Sequence, residues 1–111
     1  MSQITTHILD TSLGKPAAGV QVFLQKESDQ GWQTIAEGIT NQDGRIPGLL
    51  GAEILAPGVY SLLFEVGQYF EKNSISAFYP RVRIEFETKD SAHYHVPLLL
   101  NPFGYSTYRG S

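Results

Sequence analysis

Three histidines are the residues of this chain best suited to move protons near neutral pH. His7, His93 and His95 are its only histidines, and an imidazole with an ordinary pKa of about 6.5 exchanges protons in that range. His93 and His95 are two residues apart, so in a strand both project from one face. Each of them also fits a plainer interpretation, a surface or interface histidine without a catalytic task.

The same histidines suggest a metal site as an alternative. A His-x-His pair on a strand, with a third histidine elsewhere, resembles a catalytic zinc arrangement with one open position. The spacing is a weak signal compared with paired Cys-x-x-Cys ligands, and nothing in the sequence brings His7 to the pair.

Arg45 is the cationic residue whose placement suggests a function. It follows Asp43-Gly44 directly, a pair favoured in turns with positive φ, and we therefore expect it at the start of a strand. Its guanidinium would offer a fork of donors to an anion or to planar carbonyl groups. A solvated arginine is the alternative.

Several function classes lack support in the composition. The net charge is −3, without a basic cluster, which argues against nucleic-acid binding. The absence of cysteine rules out disulfides, thiol catalysis and cysteine zinc ligands. We find no signal peptide and no apolar run of the roughly 18–20 residues that span a membrane. A single domain over residues 1–111 of a cytoplasmic, non-membrane protein is the expectation.

Short strands punctuated by turns must position these side chains. Residues 81–88 show the clearest alternation, with Val82, Ile84 and Phe86 on one face and charged residues on the other. Similar signals predict further strands over residues 4–10, 20–25, 32–40, 58–66, 93–100 and 105–108. Residues 67–73 are the helical candidate. This pattern favours an antiparallel β-sandwich or a barrel.

Pro97 interrupts the apolar run of residues 95–100. Because proline cannot donate to a ladder, we expect an edge strand or a bulge at this point. An apolar edge strand needs a cover, and a second subunit would supply one.

Three segments carry a resemblance to a known family. Residues 6–20 (THILDTSLGKPAAGV) and 40–45 (TNQDGR) resemble the transthyretin-like family, and the match continues through the tail, HYHVPLLL to STYRGS. The final Tyr-Arg-Gly-Ser resembles the branch of that family that hydrolyses 5-hydroxyisourate. Asn101 stands where that branch is expected to have serine.

The resemblance implies a fold, an assembly and a reaction. The fold is all-β, a transthyretin-like (prealbumin-like) antiparallel β-sandwich of two four-stranded sheets with one short helix. The assembly is a homotetramer, a dimer of dimers, with active sites at the dimer–dimer interface. The reaction opens the six-membered ring of 5-hydroxyisourate, in urate degradation, to give 2-oxo-4-hydroxy-4-carboxy-5-ureidoimidazoline. No metal or organic cofactor takes part.

The resemblance also assigns residues, but leaves His93 without a role. The residues carried over as catalytic are His7, Arg45, His95 and Ser111, and those carried over for substrate binding are His7, Arg45, Tyr108, Arg109 and Gly110.

Elementary chemistry is consistent with these assignments. Ring opening of a cyclic amide needs a water, a base and stabilisation of an oxyanion, and a neutral histidine is the best available base. His7 and His95 would share the proton transfers, Arg45 would bind the ring, and a terminal carboxylate on Ser111 would orient a histidine or a water.

Two other functions remain as alternatives at this point. One is a non-catalytic carrier of aromatic hormones with the same fold, a branch that lacks the His95 context and the Tyr-Arg-Gly-Ser tail. The other is a structural sandwich for adhesion or partner binding, which would leave the histidines and Arg45 unexplained.

Overall fold

Two four-stranded sheets packed face to face make up the structure. The computed structural model describes residues 2–111. Its elements are β1 (Ile4–Asp10), β2 (Lys15–Pro16), β3 (Gln21–Ser28), β4 (Gly31–Ile39), β5 (Gly58–Phe64), α1 (Val66–Lys72), β6 (Val82–Thr88), β7 (Tyr94–Asn101) and β8 (Gly104–Thr107). The predicted sandwich with one short helix is confirmed, and the predicted strands all form; the two-residue β2 had no signal in the sequence.

The sheets differ in how their strands run. One has the order β2-β1-β7-β8 and the other the order β4-β3-β5-β6. The pairs of the second sheet are antiparallel, as expected. In the first sheet, β1 and β7 run parallel, with Thr5 opposite His95 and His7 opposite Pro97. The prediction of antiparallel sheets is therefore wrong for this one pair, which joins strands from the two ends of the chain.

The core lies between the inner faces of the two sheets. Period-two alternation places one side of each strand there, and the largest fully buried side chains include Ile4, Ile8, Leu24, Tyr60 and Leu98. The alternate residues of β1, which are Thr5, His7 and Leu9, are half-buried on the outer face. Burial of Ile4 and Ile8 thus turns Thr5 and His7 outwards.

Pro97 does not lie in an edge strand, so that prediction is wrong. Strand β7 has β1 on one side and β8 on the other. The ladder between β7 and β8 covers only residues 98–101 of β7, so the missing N–H of Pro97 costs no ladder bond on that side. The Pro97 carbonyl on the same side accepts a bond from the Thr107 hydroxyl (2.7 Å). Strand β1 pairs with the whole apolar run, and β8 pairs with its residues 98–100.

Helix α1 is tied to the end of β1 by a buried polar contact. The Tyr69 hydroxyl donates to Oδ2 of Asp10 at 2.7 Å, and the Asp10 carboxylate also accepts from the backbone and the hydroxyl of Ser12. Asp10 is fully buried, so these donors replace the water that its charge would otherwise need. In residues 2–111, no helix is long and apolar enough to cross a membrane.

Candidate active site

The turn before Arg45 is built by Asn41. Its side-chain oxygen accepts hydrogen bonds from the backbone N–H groups of Asp43 (2.9 Å) and Arg45 (3.1 Å), an Asx turn. The backbone N–H of Asn41 also donates to the carbonyl of Arg45 at 2.8 Å. Hydrogen bonds of Asn41 therefore hold the backbone on both sides of the Asp-Gly pair. They fix the direction in which the chain leaves the turn at Arg45.

Gly44 lets this turn dock on β1. Its carbonyl accepts a bond from the backbone N–H of Ile8 at 2.9 Å, and its φ is +73°, a conformation in which a side chain is strained. A Cβ at Gly44 would lie 2.5 Å from the Ile8 carbonyl oxygen. This close approach pairs Arg45 with His7 across an antiparallel bridge.

His95 joins this group from the neighbouring strand. The parallel register places it opposite Thr5, and both are half-buried on the outer face of the β2-β1-β7-β8 sheet. Nδ1 of His95 and the hydroxyl of Thr5 form a hydrogen bond of 2.8 Å. A hollow of about 270 Å³ opens beside Thr5 and Arg45, and another of about 280 Å³ opens beside His95. His7, Arg45 and His95 therefore share one open face.

Gly110 brings the tail onto His95. Its backbone N–H donates to the carbonyl of His95 at 2.9 Å, in an isolated antiparallel bridge. A Cβ at this position would overlap Cδ2 of the imidazole and lie 3.3 Å from Cγ of Pro97. Glycine is thus required for the tail to pass over the histidine ring.

The other tail residues lie around Tyr94, His93 and the outer end of the site. The Arg109 guanidinium lies 4.4 Å above the Tyr94 ring, and its Nη2 donates to the His93 carbonyl at 3.4 Å. Tyr108 and Ser111 are exposed, and Tyr108, Arg109 and His95 line one hollow of about 280 Å³. The structure therefore brings His7, Arg45, His95 and Gly110 together and places Arg109 at a hollow that His95 also lines.

The electrostatics of the site favour neutral imidazoles. Burial, and after it the Arg45 guanidinium, hold the pKa of His7 below its ordinary value, against the opposing effect of a hydrogen bond to the Asp43 backbone. Burial also lowers the pKa of His95, followed by the charges of Arg45, His93 and His7. A neutral imidazole can accept a proton, so both histidines are in the state that a general base needs at pH 7.

The arrangement suits proton transfer beside a fixed cation. Two neutral histidines can move protons, and the guanidinium can stabilise a negative charge that develops between them. Among residues 2–111, no group of three or more His, Asp or Glu side chains is placed to hold a metal ion.

Three residues close to the site were not predicted as parts of it: Thr5, His93 and Asn41. Thr5 was recognisable only as a neighbour of His7 on one strand face. Its contact with His95 depends on the parallel register of β1 and β7, which no local pattern encodes. Asn41 had a local signal, because asparagine at the start of an Asx turn is favoured for its side-chain acceptor.

Comparison with known proteins identifies similar sequences over the full site. The HIUase/Transthyretin family matches residues 4–110. A 5-hydroxyisourate hydrolase of Salmonella typhimurium is 50% identical over 109 residues, covering 97% of this chain and 80% of that protein.

Solved structures agree with this similarity. The structure of Klebsiella pneumoniae 5-hydroxyisourate hydrolase superposes with a TM-score of 0.86 at 41% identity, covering 97% of this chain and 92% of the other. Sea bream transthyretin in complex with thyroxine gives a TM-score of 0.91 at 28% identity, covering 98% and 95%. The fold is thus common to the enzyme and to the thyroxine-binding protein, while the sequence is more similar to the enzymes.

Proposed function

The chain belongs to the HIUase/Transthyretin family, and we propose that it hydrolyses 5-hydroxyisourate to 2-oxo-4-hydroxy-4-carboxy-5-ureidoimidazoline. Relatives at up to 50% identity bear the name of this enzyme. The observation that carries the proposal is the meeting of His7, Arg45 and His95 on one open face. A non-catalytic carrier would have no use for two neutral histidines beside a cation.

His95 is the general base of the proposed reaction. Thr5 holds its Nδ1, which leaves Nε2 to take a proton from the attacking water. Attack at a ring carbonyl gives a tetrahedral oxyanion, and the C–N bond then breaks as the ring nitrogen takes up a proton. Water is the only co-substrate, so the mechanism uses no cofactor.

Arg45 and His7 complete the proposed machinery. The Arg45 guanidinium binds the oxygen-rich ring and stabilises the oxyanion through charge-assisted hydrogen bonds. His7, adjacent to Arg45 in the bridge, shares the proton transfers and binds the ring beside Arg45.

The tail has a divided role in this proposal. Gly110 shapes the wall of the site at His95, and Tyr108 binds substrate from its exposed position. Arg109 binds substrate beside Tyr108, since both line one hollow with His95, and its contacts with Tyr94 and the His93 carbonyl hold its guanidinium there. Ser111 follows Gly110, and its role through a carboxylate stays a prediction.

A homotetramer, a dimer of dimers, is part of the proposal. Strands β6 and β8 are each the last strand of their sheet, and residues of both line one hollow. Unpaired strand edges are surfaces for pairing with another chain. Isologous pairing of these edges would extend both sheets across a two-fold axis. The half-buried outer face with His7 and His95 would then be covered by a second dimer, which places sites at the dimer–dimer interface. Light scattering during size-exclusion chromatography tests this, and a monomer would contradict it.

Freshly generated 5-hydroxyisourate tests the activity directly. We expect the purified protein to accelerate the decay of its ultraviolet absorbance, and the His95→Asn variant to lose this effect. A decay no faster than the spontaneous one would overturn the proposal. Activity should survive exhaustive chelation, whereas a loss that zinc restores would favour a metal enzyme. A cytoplasmic location, for which the absence of cysteine is the support, completes the proposal.

A further inference from the structure

The hydroxyl of Thr5 lies between two imidazoles. Its Oγ1 is 2.7 Å from Nε2 of His93 and 2.8 Å from Nδ1 of His95. The two rings are stacked, with centroids 6.2 Å apart and an angle of 27° between their planes. His93 is exposed, and His95 is half-buried. A hydrogen-bonded chain of three side chains thus leads from the site to the solvent.

The single donor hydrogen of the Thr5 hydroxyl couples the tautomers of the two histidines. A threonine hydroxyl donates one hydrogen at a time and accepts through its lone pairs. If it donates to His93, then Nδ1 of neutral His95 must carry the hydrogen, and Nε2 of His95 is free to act as a base. If the hydroxyl donates to Nδ1 of His95, then Nε2 of His93 must carry a hydrogen and donate it to Thr5. Nε2 of neutral His95 then carries the hydrogen of that ring. A change of tautomer at one ring therefore changes the other.

We propose that Thr5 and His93 are positioning residues that form a proton relay for His95. The proposal rests on the proposed function, in which His95 is the general base. As Nε2 of His95 takes a proton from water, Nδ1 passes its proton to Thr5 Oγ1, and the hydroxyl proton of Thr5 passes to Nε2 of His93. His95 ends neutral, and His93 holds the positive charge.

The return step restores each group. The proton on Nε2 of His93 goes back to Thr5, the hydroxyl proton of Thr5 goes to Nδ1 of His95, and Nε2 of His95 gives its proton to the departing ring nitrogen. The water proton has then reached the leaving group, and no other reactant is consumed. His95 is again the tautomer with a free Nε2.

Charge explains why a relay is useful at this site. An imidazolium at His95 would be half-buried, and burial, followed by the charges of Arg45, His93 and His7, lowers the pKa of His95. Moving the proton to His93 puts the charge on an exposed ring, where water solvates it. Arg109 contacts the His93 carbonyl, and the Asp90 carboxylate lies close to that guanidinium.

The backbone around the relay is held at both histidines. Gly110 donates to the carbonyl of His95 at 2.9 Å, and Arg109 donates to that of His93 at 3.4 Å. The parallel register holds Thr5 opposite His95. The tail and β1 together fix the positions of Thr5, His93 and His95. Arg109 and Gly110 thus hold the backbone of the two histidines in the relay.

Steady-state kinetics of four single variants test the relay. Thr5→Val keeps the shape but removes the hydroxyl, and we expect kcat to fall about 10- to 100-fold with KM little changed. Thr5→Ser should restore most of the rate. His93→Gln can bond to Thr5 but cannot store a proton, and should lower kcat about 10-fold. Thr34→Val is the matched control. It removes a threonine hydroxyl of β4 that accepts a hydrogen bond from Gln25, and it should leave kcat unchanged.

The double variant Thr5→Val with His93→Gln is the decisive comparison. If His93 acts only through Thr5, the double variant should match Thr5→Val within about twofold. Losses that multiply would overturn the relay, as would wild-type kcat in Thr5→Val.

A spectroscopic readout separates failure of the relay from failure of the proposed function. Nitrogen chemical shifts of the histidine rings report the tautomer without any substrate. We expect His95 to carry its hydrogen on Nδ1, and Thr5→Val to shift the tautomers of both His95 and His93. Unchanged shifts would overturn the coupling, whatever the substrate is. If Thr5→Val shifts these tautomers but the wild-type protein is inactive on 5-hydroxyisourate, the coupling through Thr5 is supported and the proposed reaction is rejected.

Discussion

The backbone of Gly110 lies directly against the imidazole of His95. The Gly110 N–H donates to the His95 carbonyl at 2.9 Å, and the glycine has no side chain where a Cβ would meet Cδ2 of the ring. The wall of the site at this point is therefore formed by the backbone of the tail. Its shape depends on the lack of a Cβ at Gly110.

The Gly110→Ala variant should lose activity without losing stability. The added methyl must displace either the tail or the His95 ring, and a catalytic group misplaced by about 1 Å loses up to about 10²-fold in rate. The tail is largely exposed, so the midpoint of denaturant unfolding should stay the same. Gly58→Ala is the control, since a Cβ there meets only Tyr60 at an ordinary 3.8 Å. Equal kcat/KM in both variants would contradict the role of Gly110.

Replacing either site histidine by asparagine should abolish most of the turnover. We expect His95→Asn and His7→Asn each to lower kcat by about 10²–10⁴-fold, the usual yield of general acid–base catalysis. Circular dichroism should show an unchanged fold, because both side chains lie on the outer face of the sheet. Either variant turning over at the wild-type rate would remove that histidine from the mechanism.

The pH profile of kcat/KM should reflect the lowered pKa of both histidines. The neutral ring is the active form, so activity is lost as the pH falls and the ring is protonated. Since burial and Arg45 hold the pKa of His7 and of His95 below 6.5, the midpoint of the acid limb should lie below pH 6.5.

The contribution of Arg45 to this midpoint can be separated. Arg45→Gln removes a positive charge that opposes protonation, so the residual activity should show an acid limb shifted towards pH 6.5. Arg81→Gln, whose guanidinium pairs with Glu65 at 3.3 Å, is the control and should not move the limb. A wild-type midpoint above pH 6.5, or no shift in Arg45→Gln, would contradict this electrostatic description.

Asn41→Ala tests the turn that positions Arg45. The variant loses the acceptor of two backbone N–H groups, so we expect kcat/KM to fall by up to about 10²-fold through misplacement of Arg45. Asn73→Ala is the matched control, since Asn73 bonds to the Tyr69 carbonyl at the end of α1. If both variants retain full kcat/KM, the Asx turn is not what places Arg45.

Tyr69→Phe should reduce stability but not catalysis. Burial, and then the bond to Asp10, raise the pKa of Tyr69, so its hydroxyl stays a donor to the buried carboxylate. Its removal should lower the free energy of unfolding by about 1–3 kcal/mol, measured by urea denaturation, with kcat unchanged. Tyr79→Phe is the control, because Tyr79 packs through its ring against Phe78 and Tyr105. An unchanged free energy of unfolding would show that the Tyr69–Asp10 bond contributes nothing.

Local sequence patterns predicted the strands, the helix and the turn before Arg45. Ile4 and Ile8 fall on one face of β1, and Thr5 and His7 fall on the other, because successive side chains of a strand point to opposite sides. The Asp-Gly pair and Asn41 indicate the turn, since only certain residues tolerate its backbone angles. These are short-range properties, and each can be read from a few consecutive residues.

The partners of each site residue were decided by the tertiary structure. Thr5 contacts His93 and His95, about ninety positions away in the chain, because β1 and β7 run parallel in one register. A shift of that register by one residue would turn the histidines to the other face of the sheet. Packing of the whole core selects the register, and no segment of the sequence contains that information by itself. The sequence thus determined which residues can exchange protons, and the fold determined which of them meet.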